Sequence, residues 1–139
     1  MVVDVQNDFI SGSLALRNCP LKHEGEDVVP VINQLKKDCK FDLVLFSLDW
    51  HPEDHCSFIT NVSKYPLHAS SKITAENAKV LDSVVYEGVP PQPQVMWPVH
   101  CVQESDGAKL HKDLEVSIVL YISHSLCSAL TPSALHKRP

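Results

Sequence analysis

The order of patterns along the chain predicts an α/β protein built on a parallel sheet. Three observations carry this. Apolar runs at residues 1–5 and 43–48 read as buried strands. Between them, Glu24 to Lys37 has helical spacing. A third apolar, β-branched run at residues 116–122 supplies another strand. The order strand, loop, helix, strand implies a parallel pair joined by a right-handed crossover.

Met1-Val2-Val3-Asp4-Val5 looks like the closing half of a buried strand whose beginning is missing. A lone acid in such a run is costly unless it is paired or catalytic, although Asp4 could equally cap a loop. Gln6-Asn7-Asp8-Phe9 follows as a polar turn with one aromatic, and residues 11–25 read as loop. In the helix, Val28, Val31, Ile32 and Leu35 fall on one expected inward face. Pro30 fits if it lies in the first turn, and Lys36 and Lys37 suit the C-terminal end.

Leu43-Val44-Leu45-Phe46-Ser47-Leu48 then leads into Asp49-Trp50-His51-Pro52. Residues 52–93 hold no strong period. A short helix is expected over 70–81, with Ala75, Ala78 and Leu81 inward, and a short strand at Val84–Tyr86. Pro90-Pro91-Gln92-Pro93 reads as an extended spacer. Pro98 makes Met96-Trp97-Pro98-Val99-His100-Cys101 a rigid loop. Residues 107–114 are expected to form a short helix, and residues 123–139 a disordered tail. No linker separates two domains, so residues 1–122 are expected to form one partial domain.

Composition narrows the function. The 139 residues carry a formal net charge of -5, from 12 basic and 17 acidic side chains. No Lys/Arg cluster could track a phosphate backbone, so nucleic acid is not an expected partner. No run spans a membrane and no signal peptide is visible, which gives an intracellular expectation. Five widely spaced cysteines, without a C-x-x-C pair, argue against a disulfide framework or a structural zinc module. With four glycines and no G-x-G-x-x-G or Walker pattern, a nucleotide-binding site is not expected.

Side chains two apart on a strand share a face, so Asp49 and His51 point the same way. With His100 they would offer one oxygen and two nitrogens to a divalent metal, leaving positions open as catalytic sites do. Such a set admits zinc, manganese or ferrous iron. His55 could be a fourth ligand or a supporting partner. The plainer alternative is a partly exposed loop histidine, since the chain has 8 histidines. Cys101 lies beside His100, but neighbouring residues seldom point at each other productively, and Cys19, Cys56 and Cys127 have no obvious base nearby in sequence.

Taken together, Val2-Val3-Asp4-Val5-Gln6-Asn7-Asp8-Phe9, Asp49-Trp50-His51-Pro52 with His55 and Phe58, and Trp97-Pro98-Val99-His100-Cys101 closely resemble the nicotinamidases (pyrazinamidases) of the isochorismatase-like hydrolase superfamily. The resemblance runs over residues 1–114. It implies a three-layer α/β/α, Rossmann-like parallel sheet, here incomplete. It also implies hydrolysis of nicotinamide to nicotinate and ammonia in NAD salvage, in the cytoplasm, with a homo-oligomer compatible. Asp4 would be the catalytic general acid/base. Asp49, His51 and His100, with His55 as a further metal-site histidine, would hold the metal, zinc ahead of iron or manganese. Phe9, Trp97 and Gln6 would contact the pyridine substrate.

The family's lysine and nucleophilic cysteine stand in later motifs that this chain does not show. Cys127, in Ser125-Leu126-Cys127-Ser128-Ala129, lacks that context. The expectation is therefore a family chain truncated after about residue 114, without a recognisable nucleophile and with little turnover. The alternative is a non-catalytic short form that holds metal and nicotinamide.

Overall fold

The structure is a computed structural model and describes residues 1–116 and 122–124. The chain forms two compact units. One takes Met1–His51 and His100–His124, and the other takes Pro52–Val99. The chain thus leaves the first unit after His51 and returns to it at His100, although no linker marks either crossing in the sequence.

The first unit is organised on β2, Phe46–Asp49. On one side it pairs in parallel with β1, Val2–Val3, with Val2 opposite Phe46. On the other it pairs in parallel with β5, Ile122–His124, with Asp49 opposite His124. The central place of β2 explains its sequence. Phe46, Ser47 and Leu48 are all buried, as expected where both faces of a parallel strand are covered. The strand begins at Phe46 rather than Leu43, which is exposed. Of the expected third strand, residues 117–121 lie outside the described part. Ser123 and His124, expected in a tail, are strand residues, and residues 125–139 lie outside the described part.

Between β1 and β2 come a one-turn helix α1, Asn7–Ile10, and the helix α2, Val28–Asp38. Pro30 lies in the first turn of α2, where its missing N–H costs nothing. The inward face differs from the expected one. Val29 is buried and Ile32 packs partly against the core, while Val28, Val31 and Leu35 are exposed. The buried side is shared with polar residues. Asn33 donates to the Asp113 carbonyl at 2.8 Å and accepts from the Glu115 amide at 2.9 Å. Lys36 bonds the Glu115 carbonyl and sets its ammonium 5.5 Å from the centroid of the Phe46 ring. Apolar spacing alone therefore pointed to the wrong face.

Residues 107–114 form turns rather than the expected helix. Their backbone groups are spent on a distant segment: the Asn7 amide donates to Lys109, the His111 amide donates to Val5, and Gln6 bridges Leu110 antiparallel. Leu114 joins Val5, Ile10, Val29 and Phe46 in the core of this unit.

The second unit contains β3, Ser83–Tyr86, and β4, Gln92–Val95, paired antiparallel with Ser83 opposite Val95. The stretch expected to be an extended spacer ends in a strand: Pro93 stands opposite Val85 in β4, which has no other neighbour among the described residues. The helix expected over 70–81 is absent. Ser71 and Asp82 instead bond nearby backbone and draw the segment into turns, and Leu81 takes a positive φ of 72°. Tyr86, fully buried, donates to the Cys56 carbonyl at 2.8 Å and meets Tyr65 edge-on at 5.6 Å. Among the described residues, no helix is long and apolar enough to cross a membrane.

Candidate functional site

At the exit of β2, Asp49 is the last strand residue and His51 follows on the same face. The His51 amide donates to the Cys101 carbonyl at 3.0 Å, and the Gln103 amide donates to the His51 carbonyl at 2.8 Å. These two bonds lay the third sequence motif alongside the second. They bring His100 over Asp49. Asp49 Oδ1 lies 2.7 Å from His51 Nε2, and Oδ2 lies 3.2 Å from His100 Nε2. The two imidazoles stand edge to face at 5.0 Å. One oxygen and two nitrogens, all within 4.8 Å of one another, thus converge from residues 49 and 51 and from residue 100.

Both histidines are buried and the carboxylate is half-buried. Burial pushes the Asp49 carboxyl up. Hydrogen bonds from His100 and His51, with the charge those rings carry when protonated, outweigh it and hold the group well below the ordinary carboxylate range. Asp49 is therefore an anion at neutral pH. As a donor set, an anionic oxygen with two imidazole nitrogens fits a divalent ion of the zinc, iron or manganese kind.

Asp4 sits just past β1 with a φ of 51°, a conformation that a non-glycine residue holds only when its surroundings impose it. Its amide donates to the Ser47 carbonyl at 3.3 Å, and its Oδ1 accepts the Ser47 hydroxyl at 2.6 Å. Ser47 was passed over in the sequence, yet it is the one polar residue inside the apolar run that becomes β2. Phe9 turns its ring toward His100, with centroids 6.0 Å apart and planes tilted by 57°.

Gln6 turns its side-chain amide to the backbone of two segments. It is fully buried, and its two amide hydrogens go to the carbonyls of Asp49 and Ala108, both at 2.8 Å. Its oxygen accepts the Asp49 amide at 2.8 Å. With its donors committed to backbone, Gln6 supports Asp49. Asp8, read in the sequence only as a turn residue, accepts the Cys101 amide at 2.7 Å and the Ser13 amide at 3.1 Å.

His55 and Trp97 belong to the second unit. His55 is buried, with Nδ1 2.7 Å from the Ser57 hydroxyl, and meets Phe58 edge-on. Trp97 exchanges backbone bonds with Ser57 and Ile59 and leaves about a third of its surface exposed (36%).

Among the described residues, the thiol at this site is Cys101. It is fully enclosed, and burial first, then the carboxylates of Asp49, Asp8 and Asp4, push its pKa far up. Cys19 and Cys39 are exposed free thiols. Cys127 lies outside the described residues.

No family sequence model matches the chain. Among curated proteins it is 36% identical over 118 residues to the nicotinamidase of Acinetobacter baylyi, covering 84% of this chain and 44% of that protein. It is similar in structure to a nicotinamidase and pyrazinamidase of Acinetobacter baumanii, with a TM-score of 0.62 and 30% identity, over 88% of this chain and 48% of that one. It is also similar to the pyrazinamidase of Pyrococcus horikoshii solved in complex with zinc, with a TM-score of 0.50 and 27% identity, over 88% of this chain and 48% of that one. The chain spans about half the length of the curated relatives it matches. In sequence and in fold, over most of its residues, this chain is similar to about half the length of the nicotinamidases.

Proposed function

We propose that the first unit binds a divalent metal ion through Asp49, His51 and His100, and that the protein acts on nicotinamide, a pyridine carboxamide. The convergence of those three donors within 4.8 Å is the observation that carries the reading. The zinc complex of the Pyrococcus horikoshii pyrazinamidase supports zinc as the first ion to test. A bound ion would supply a Lewis acid against which a ring nitrogen can be oriented.

The chain's own residues do the rest. Phe9 offers an aromatic wall beside His100. Asp4, held by Ser47, is placed to keep a proton at its free oxygen and pass it to or from a leaving amide nitrogen. Trp97 and His55 are carried into this reading by family likeness. Among the described residues, none stands out as the nucleophile. An amide carbon needs attack by an activated group, and the buried, protonated Cys101 does not qualify. We therefore read the 139-residue chain as competent to bind and poor at turnover.

Ammonia release from nicotinamide by the purified, metal-loaded chain tests this directly. A rate within tenfold of a full-length nicotinamidase would overturn the claim of poor turnover. Metal analysis and calorimetry test the binding half. A chain that retains no metal, or whose His51→Ala variant retains as much as the parent, removes the metal reading.

A further inference from the structure

We propose that Gln6 and Asp8 are positioning residues that fix Asp49, His51 and His100 in their converging arrangement before any ligand arrives. The proposal rests on the metal reading above. It deepens that reading by saying what holds the donors in place.

The argument starts at the backbone. Gln6 grips both polar groups of Asp49: its oxygen takes the amide and its nitrogen gives to the carbonyl, each at 2.8 Å. A primary amide paired with a peptide in this way fixes the plane of the residue it holds. The second hydrogen of Gln6 reaches the Ala108 carbonyl at 2.8 Å, so the exit of β2 and the loop after Cys101 share one anchor. Full burial makes the loss of any of these bonds expensive.

Asp8 does the same for the histidines. Its Oδ2 accepts the Cys101 amide, which belongs to the His100–Cys101 peptide, at 2.7 Å. The Cys101 carbonyl accepts the His51 amide at 3.0 Å. Cys101 is therefore a backbone link, held at its nitrogen by Asp8 and joined at its oxygen to His51. Its φ of 45° is unfavourable for a side chain of this kind and persists only because both ends are tied. The Asp8 carboxylate is itself boxed in. A Cβ on Gly12 or on Gly107 would overlap it, so both positions are glycine for close approach. Asn7, between the two anchors, adds bonds to Asp106 and Lys109.

Supporting residues of this kind alter metal affinity by about 10–100-fold when changed. The test is zinc affinity, measured with Zn2+ alone against a chromophoric competing chelator, together with the melting curve of the metal-free protein. The variants are Asp8→Leu, Asp8→Asn, Gly107→Ala and Gln6→Met, with Asp49→Ala as the ligand control. Asp8→Leu and Gly107→Ala are expected to weaken zinc by about 10–100-fold while remaining folded, and Asp8→Asn, which keeps one acceptor oxygen, to recover part of that loss. Gly107→Ala removes no polar group, so a loss there reports displacement of Asp8. If Gln6→Met fails to fold, the Asp8 and Gly107 variants decide. Lower melting temperature with parental zinc affinity would overturn the proposal, because it would reduce Gln6 and Asp8 to general structural residues. A parent that binds zinc no better than Asp49→Ala would overturn the metal reading and this proposal with it. The parent measurement thus separates the two failures.

Discussion

Cys101 shows how a residue adjacent to a metal-ligand candidate can be excluded from chemistry by its surroundings. Its thiol is fully buried, with burial first and then the charges of Asp49, Asp8 and Asp4 raising its pKa, and its backbone is committed to Asp8 and His51. Because the thiol pKa is raised, the thiolate stays scarce through neutral and mildly alkaline pH. Peptide mapping after iodoacetamide treatment of the native chain should find Cys19 and Cys39 alkylated and Cys101 untouched. Raising the pH from about 7 to about 9 should not change the Cys101 result. Rapid native labelling of Cys101 would mean that the site is open and that its thiol is available. Among the metal-ligand candidates, Asp49 and His51 were legible in the sequence because a strand repeats every two residues. Asp8 and Gln6 were not, because their partners are far along the chain: 93 residues away for the Cys101 amide and 102 for the Ala108 carbonyl. No local pattern encodes a bond of that span.

The elements teach a related lesson about apolar spacing. The sequence placed β2 and α2 correctly to within a few residues, and the parallel pairing of β1 with β2 followed from their order. It misjudged the buried face of α2, because that face mixes Val29 and Ile32 with Asn33 and Lys36, whose partners are Asp113 and Glu115. One pair of substitutions separates the faces. Val29→Ala removes buried methyl groups and should cost about 2 kcal/mol. Val31→Ala, at an exposed position (57%), should stay within about 0.5 kcal/mol of the parent. In β2, Phe46→Ala should cost about 3–5 kcal/mol, since Phe46 is 1% exposed at the centre of the sheet. Urea unfolding followed by circular dichroism reads all three. A larger loss at Val31 than at Val29 would restore the face that spacing alone predicted. The expected helix at 107–114 failed for the same physical reason: Gly107, Lys109 and His111 bond the backbone of residues 5–8 instead of forming a helical ladder.

For the whole molecule, a metal ion that binds the folded chain and not the unfolded one must stabilise it. The three donors come together only through the fold, from β2 and from the segment that returns at His100, so the unfolded chain offers no comparable site. At a free zinc concentration of about 100 times Kd, the added stability is about 2.7 kcal/mol, and a strong chelator should remove it. Acid should erase the same increment. Metal ligation needs neutral imidazoles and an ionised carboxylate, so protons compete with the ion. The sign of each contribution is set by the site. Asp49 is held well below the usual carboxylate range, so it remains an anion as the pH falls from about 7.5 to about 5.5. Loss of zinc stabilisation in that window therefore does not come from Asp49, which protonates only at lower pH. The expected result is a zinc-dependent rise in Tm at about pH 7.5 that shrinks by about pH 5.5 and is absent in His51→Ala at either pH. A rise that survives in His51→Ala would place the ion elsewhere in the chain. A rise of the same size at both pH values would show that imidazole protonation does not govern its binding.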